Sequence, residues 1–210
     1  MRRGWWIGRC PWTPQLPEHI STRGTRPASQ GAGSNCTNLA LEPPDHGIGR
    51  SRGGFSTRIH QLVDGNGLLL VTFITAGRAG DSPMLLPLMA QLRVERETGR
   101  PRTRPDALRG DKAYSSRAIR GRLRGRGIKA VIPEPSDQQG HRKRRGSRGG
   151  RPVGLDALDD KNRNVIERRF CRPKPWSGLA TRCDKHAIIY RAAVLLHAVI
   201  AWSRHLSDTP

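Results

Sequence analysis

The sequence predicts a mixed α/β fold, a mixed sheet flanked by helices, behind an irregular N-terminal segment. Three observations predict it. Two β-rich apolar runs flank Asp64-Gly65-Asn66-Gly67, a strong hairpin signal. Short apolar segments at 107–111 and 128–132 bracket a stretch of helical periodicity, and a long apolar helical pattern runs from about Lys185 to His205.

In chain order, residues 1–50 are rich in Pro, Gly, Ser, Thr and Arg and carry neither the helical nor the strand period, so they read as loop or disorder. The folded domain is expected over 51–206. Phe55 to Val63 suits a strand, and Leu68 to Thr75 is a second, central one. Asp81-Ser82-Pro83 reads as a helix N-cap with proline in the first turn, opening a helix through Leu85, Leu88, Met89 and Leu92 whose start Pro87 makes irregular. Arg93 to Pro105 is a basic connection. Ala107 to Asp111 is a short strand, expected to lie beside the hairpin, and Ser115 or Ser116 caps a helix ending near Gly125 or Gly127. Ile128 to Ile132 is another strand, stopped by Pro133. The segment 134–152, centred on His141-Arg142-Lys143-Arg144-Arg145, is either a solvated loop or a contact to a DNA backbone, and the overall charge favours the contact. A helix follows from about Asp156 to Lys174.

Charge narrows the partners. With 38 Lys+Arg against 17 Asp+Glu in 210 residues, the formal net charge is +21, a field that draws in polyanions through counterion release. The excess of Arg over Lys suits forked phosphate contacts, although a GC-rich gene gives the same bias. Cys10, Cys36, Cys171 and Cys183 form no C-x-x-C pair, which points to neither a disulfide framework nor a zinc site and fits a reducing cytoplasm. The apolar run from Ala187 to Trp202 is broken by Arg191 and His197 and falls short of a membrane span on this reading.

Two segments carry chemistry. Arg163, Glu167 and Lys174 share a helical face, a carboxylate between two cations able to hold phosphate oxygens. Asp111 ends a strand and precedes Lys112-Ala113-Tyr114. Divalent-metal phosphodiester chemistry needs two or three such carboxylates converging on one spot. The structural alternatives are an N-cap for Asp111 and an i,i+4 salt bridge for Arg163 and Glu167. Asp64 is set aside because Asp-Gly opens the hairpin turn for backbone reasons. His60 and His141 have no partner at metal-ligand spacing, while His197 and Trp176 read as packing residues.

Gly110-Asp111-Lys112-Ala113-Tyr114 and the segment Arg163 to Lys174, in order and with their spacing, resemble the catalytic half of bacterial insertion-sequence transposases of the DDE type. Similarity runs from Gly49 to Trp202. The resemblance implies an RNase H-like fold, with Asp111 and Glu167 as the second and third metal-binding carboxylates and Arg163 and Lys174 as phosphate-positioning cations. It further implies two Mg2+ (or Mn2+) ions, double-stranded DNA as element ends and target, a homodimer on DNA, cleavage and strand transfer, and no membrane. The tyrosine of the family's Tyr-Arg-Glu-Lys signature would fall at Asp160. The competing reading is a non-enzymatic basic nucleic-acid-binding protein or an inactive remnant.

The family's first catalytic aspartate is missing, which implies impaired activity in a chain truncated or frameshifted at its N-terminus. Trp12 has one codon, TGG, and every Thr13 codon begins AC, so the frame joining them reads GAC, aspartate. From Gly8 through Thr22, permitted codons in that frame spell Val-Asp-Ser-Thr followed by Arg-Ala-His-Gln-His, similar to the family's first catalytic strand. The segment up to about Thr22 is therefore expected to be translated out of that frame.

Overall fold

Asp64-Gly65-Asn66-Gly67 reverses the chain by local chemistry. The Asp64 carboxylate accepts from the amides of Asn66 (2.9 Å) and Leu68 (2.8 Å), and the Asp64 amide donates to the Leu68 carbonyl (2.9 Å). Gly67 adopts φ +78°, a left-handed conformation that costs a residue without Cβ little. Asp64 is thus a turn residue, as its sequence context predicts. The computed structural model describes residues 4–9, 46–51, 54–154, 176–184 and 186–208. The flanking strands are β3 (Gly54–Val63) and β4 (Leu69–Ala76), which pair with each other. The described residues fall into two units: one holds 4–8, 62–71 and 80–154, the other 9, 46–51, 54–61, 72–79, 176–184 and 186–208.

In the first unit, β5 (Ala107–Arg109) lies parallel between β1 (Gly4–Arg9) and β6 (Lys129–Val131). Trp6 pairs with Arg109 across one side and Val131 with Arg109 across the other. Two expectations are corrected here. Residues 4–9 form a strand inside the segment expected to be irregular, and the neighbours of β5 are β1 and β6 rather than the 55–75 hairpin. Parallel pairing uses main-chain groups alone, so a Gly- and Arg-containing segment can supply it without an alternating pattern.

Helix α1 (Leu85–Ala90) buries Leu85, Leu88 and Met89 and is entered through a 3-10 turn, Ser82–Met84, with Pro83 at its start. Asp81 makes no side-chain capping bond, and the helix ends at Ala90, earlier than Leu92. Pro87 lacks the amide that a longer first turn would use. Helix α2 (Arg117–Gly125) buries Ile119 and Leu123, four residues apart on one face, and turns Arg117, Arg122 and Arg124 outward. Its end is a Schellman motif: Ile128 donates to Leu123 (2.9 Å), Gly127 donates to Arg124 (2.9 Å), and Gly127 sits at φ +66°. The core here gathers Leu62, Leu68, Leu85, Leu88, Leu92, Leu108, Leu123 and Ile132, all nearly fully buried.

The 134–152 segment is helical rather than a loop. Helix α3 (Ser136–Arg144) buries none of its residues, yet it carries Asp137 in its first turn and His141, Arg142, Lys143 and Arg144 in its last, the arrangement its dipole favours. A 3-10 turn, Gly146–Gly149, follows.

In the second unit β2 (Gly49–Ser51) pairs antiparallel with β3, Gly49 opposite Ser56. Across the hairpin, His60 Nε2 meets Thr75 Oγ1 at 2.8 Å and Thr72 Oγ1 donates to the His60 carbonyl (3.2 Å). Helices α4 (Ser177–Ala180) and α5 (Ala187–Ser207) complete it. Arg182 is completely buried: its guanidinium donates to the carbonyls of His46 (2.7 Å), Gly47 (3.2 Å) and Asp184 (2.9 Å) and to the Thr57 hydroxyl, 5.3 Å from the Tyr190 ring centroid. By length and composition α5 does qualify as a membrane span, with 21 residues and an 18-residue stretch of mean hydropathy 1.3, contrary to the sequence expectation. Its buried residues, Tyr190, Val194, His197 and Ala198, form one packed stripe, and Arg191 lies 5.9 Å from the Phe73 ring. The mixed α/β architecture is the expected one and is consistent with an RNase H-like fold.

Candidate active site

Parallel strands gather functional groups at their C-terminal ends, where the chain leaves the sheet and side chains converge without breaking a ladder. Asp111 stands there. The β5–β6 ladder continues to Gly110, whose amide donates to Val131 (3.2 Å), and the next residue turns out of the sheet. Asp111 is extended (φ −69°, ψ 162°) and half-buried, and its Oδ1 accepts from the Lys112 amide at 2.6 Å, opening the 3-10 turn Lys112–Tyr114. The N-cap and strand-end readings of this aspartate therefore coexist. The β1–β5 register sets Gly4–Trp6 against Ala107–Arg109, and β1 (Gly4–Arg9) contains no carboxylate.

The turn after Asp111 is pinned from several sides. Tyr114 is buried, and Ser116 caps α2 by accepting from the Ile119 amide (3.1 Å). Ser115 is the hub of a polar cluster. Its hydroxyl donates to Gln138 Oε1 (3.0 Å) and accepts from Arg120 Nη2 (3.0 Å), and its carbonyl accepts from Gln138 Nε2 (2.7 Å). Arg120 also donates to the Ile132 carbonyl at 2.7 Å. Burial pulls its pKa below the usual arginine value while the Glu134 charge pushes it up, and a guanidinium so placed stays charged at neutral pH. Glu134 is ion-paired with Arg142 of α3. This cluster ties the start of α3 to the C-terminal ends of β5 and β6 and leaves Lys143, Arg144 and Arg145 exposed beyond it. Sequence reading missed Arg120, Gln138 and Glu134, whose roles come from contacts across intervening elements. The capping signal at Ser115 and Ser116 was the one local clue to it.

Removing the cap should be felt locally. Ser116→Ala is expected to cost about 1 kcal/mol, read as a lowered urea midpoint with an unchanged m-value.

Glu167, Arg163 and Lys174 lie outside the described residues, so Asp111 is the one candidate site residue whose surroundings are described. Among the described residues no group of three or more His, Cys, Asp or Glu gathers to hold a metal. Asp111 alone, with one oxygen taken by the Lys112 amide, is too small a donor set for Mg2+, which takes six oxygen ligands in near-ideal octahedral geometry.

A family model described as the transposase DDE domain matches residues 20–202. No curated protein and no solved structure matches the chain. The matched span ends at Trp202, where the sequence resemblance ends, and begins well before Gly49 but after β1.

Proposed function

Since the chain belongs to the transposase DDE domain family, we propose that it derives from an enzyme performing metal-dependent cleavage and transfer of DNA strands at the ends of an insertion sequence, and that in its present form this chemistry is impaired. The observation that carries the reading is Asp111 at the C-terminal end of a parallel strand, in a chain of this family. In the proposed site Asp111 and Glu167 together hold Mg2+ or Mn2+, two ions in the complete family arrangement. The metal's contribution when bound is to activate the attacking oxygen and stabilise the leaving one.

The chain's own residues do the rest. Arg163 and Lys174 clamp phosphate oxygens on either side of Glu167, fixing the backbone for attack. The Ser115–Arg120–Gln138 cluster holds the Asp111 turn against the sheet, so the carboxylate does not have to be ordered when DNA arrives. The catalytic domain is taken as 51–206, working as a homodimer on double-stranded DNA in a bacterial cytoplasm. A strand beside β5 that contains no carboxylate, and a family match that starts after β1, support a missing first carboxylate. The out-of-frame Val-Asp-Ser-Thr supports displacement by a frameshift as its cause.

The test compares the chain as it stands with a version whose frame is restored upstream of Ser51. The chain itself should nick end-containing DNA poorly or not at all with Mg2+ present. The restored version should nick it, and Asp111→Asn or Glu167→Gln should abolish the gain; Asn keeps the capping oxygen, so the fold stays intact. Vigorous Mg2+-dependent cleavage by the present chain, lost in Glu167→Ala, would contradict the impairment. No gain on restoring the frame would favour the non-enzymatic reading.

A further inference from the structure

Helix α5 carries a second apolar face, turned away from the stripe of Tyr190, Val194, His197 and Ala198 that it packs. On that outer side Ile188, Ala192, Leu195, Val199, Trp202 and Leu206 follow one another at alternating steps of four and three residues, the spacing of a helix–helix seam. Ile188 (65%), Val199 (59%) and Leu206 (66%) stand mostly in water, Ala192 and Leu195 are exposed, and Trp202 is partly so. Ile189 and Leu196 widen the stripe. From Ile188 to Val199 no exposed position of the helix carries a charge.

Charge selects what covers this face. With a net charge of +21, two copies of the chain repel over most of their surface, and an uncharged stripe is where that repulsion is least and the gain from burial greatest. An acidic partner would find no cation on the stripe to pair with. A bilayer surface is served by a helix whose polar face is rich in Lys and Arg, whereas Arg204 is the one exposed cation of α5.

The stripe is complementary to itself when two helices run antiparallel about a twofold axis. Ile188 then faces Leu206, Leu195 faces Val199, and the small Ala192 faces the bulky Trp202, so that volumes match across the axis. Parallel pairing would set Trp202 on its own copy and Ala192 on its own copy, crowding one layer and leaving the other hollow. Antiparallel helices also bring opposite dipole ends together. With Ile189 and Leu196 alongside, such a pair removes on the order of 1,000 Å² from water, the size that a specific interface needs.

We propose that the outer face of α5 is a self-association surface, joining two copies of the chain through antiparallel α5 helices in the absence of DNA. It goes beyond the functional reading, needs neither DNA nor metal, and stands or falls separately from it.

The test is equilibrium sedimentation of the full, nuclease-treated chain at tens of micromolar, without DNA, in about 0.15 and about 0.5 M salt. A dimer is expected in both, tighter at the higher salt, because screening removes repulsion between the polycations. Copies bridged by residual nucleic acid would instead come apart as salt rises, and that result would overturn the proposal. Leu195→Glu with Val199→Glu, at the centre of the stripe, should weaken association at least about a hundredfold, while Leu86→Glu, an exposed apolar position of α1, should leave it unchanged. Should the Glu pair fail to fold by circular dichroism, Leu195→Gln with Val199→Gln serves. Ile188→Glu and Leu206→Lys, both at exposed positions, should each weaken association at least about tenfold. Mixed in equal amounts they should recover it, since antiparallel helices bring the two opposite charges together. A mixture that recovers nothing would overturn the antiparallel pairing. A monomer in both salts, or a chain that stays monomeric and binds phosphatidylcholine–phosphatidylglycerol vesicles through these same residues, would overturn the proposal as a whole. Duplex binding by the monomeric Glu pair would leave the transposase reading untouched.

Discussion

Raising salt from about 50 to about 200 mM should weaken the chain's hold on duplex DNA by about 10³- to 10⁵-fold, the range for a protein that neutralises about six to ten phosphates. The expectation follows from a net charge of +21 and from where the charge sits, on the last turn of α3 and on the exposed Arg96, Arg100 and Arg104 before β5. Affinity should differ little between an end-containing duplex and a random one, because these surfaces read backbone rather than bases. Equilibrium anisotropy at several salt concentrations measures both. A slope near zero would remove electrostatics as the basis of binding, and a strong preference for element ends would reveal groups that read bases.

The second large effect lies in the second unit. Arg182→Ala is expected to lower unfolding stability by about 3–5 kcal/mol, from lost hydrogen bonds to a charged group together with the cavity that a large buried side chain leaves. Truncation would withdraw a charged donor from the carbonyls of His46, Gly47 and Asp184 and from the Thr57 hydroxyl, leaving Gly47 its bond from Thr57 (2.7 Å), and open a void beside Tyr190. Arg182→Lys keeps the charge but not the planar fork, so it should recover only part of the stability. Urea unfolding gives the size, and a change under about 1 kcal/mol would mean that water or a rearranged side chain replaces the guanidinium.

The features legible in the sequence were those decided within a few residues. The Asp64 turn, the Ser116 cap and the Gly127 helix end each satisfy local backbone groups, so residue type alone announces them. Strands 107–109 and 129–131 showed through their apolar residues. Helix α3 did not, because it buries nothing and has no apolar face to repeat. Arg182 read as one arginine among many, since its partners at His46, Gly47 and Thr57 are 125 to 136 positions away. Of the candidate site, Asp111 came from its place at a strand end, while Glu167, Arg163 and Lys174 rest on the resemblance and their shared helical face.

Strand β1 bears on solubility. A β5 with one flank bare would offer a row of unsatisfied main-chain donors and acceptors to any passing chain, the usual route to sheet-to-sheet aggregation. Residues 4–6 close that flank with backbone pairing alone, which makes no demand on which side chains the strand bears. A reading-frame change that deletes a catalytic aspartate therefore need not expose a sticky edge. Under the impairment proposed above, the chain keeps this flank paired and stays a polycation with an affinity for DNA.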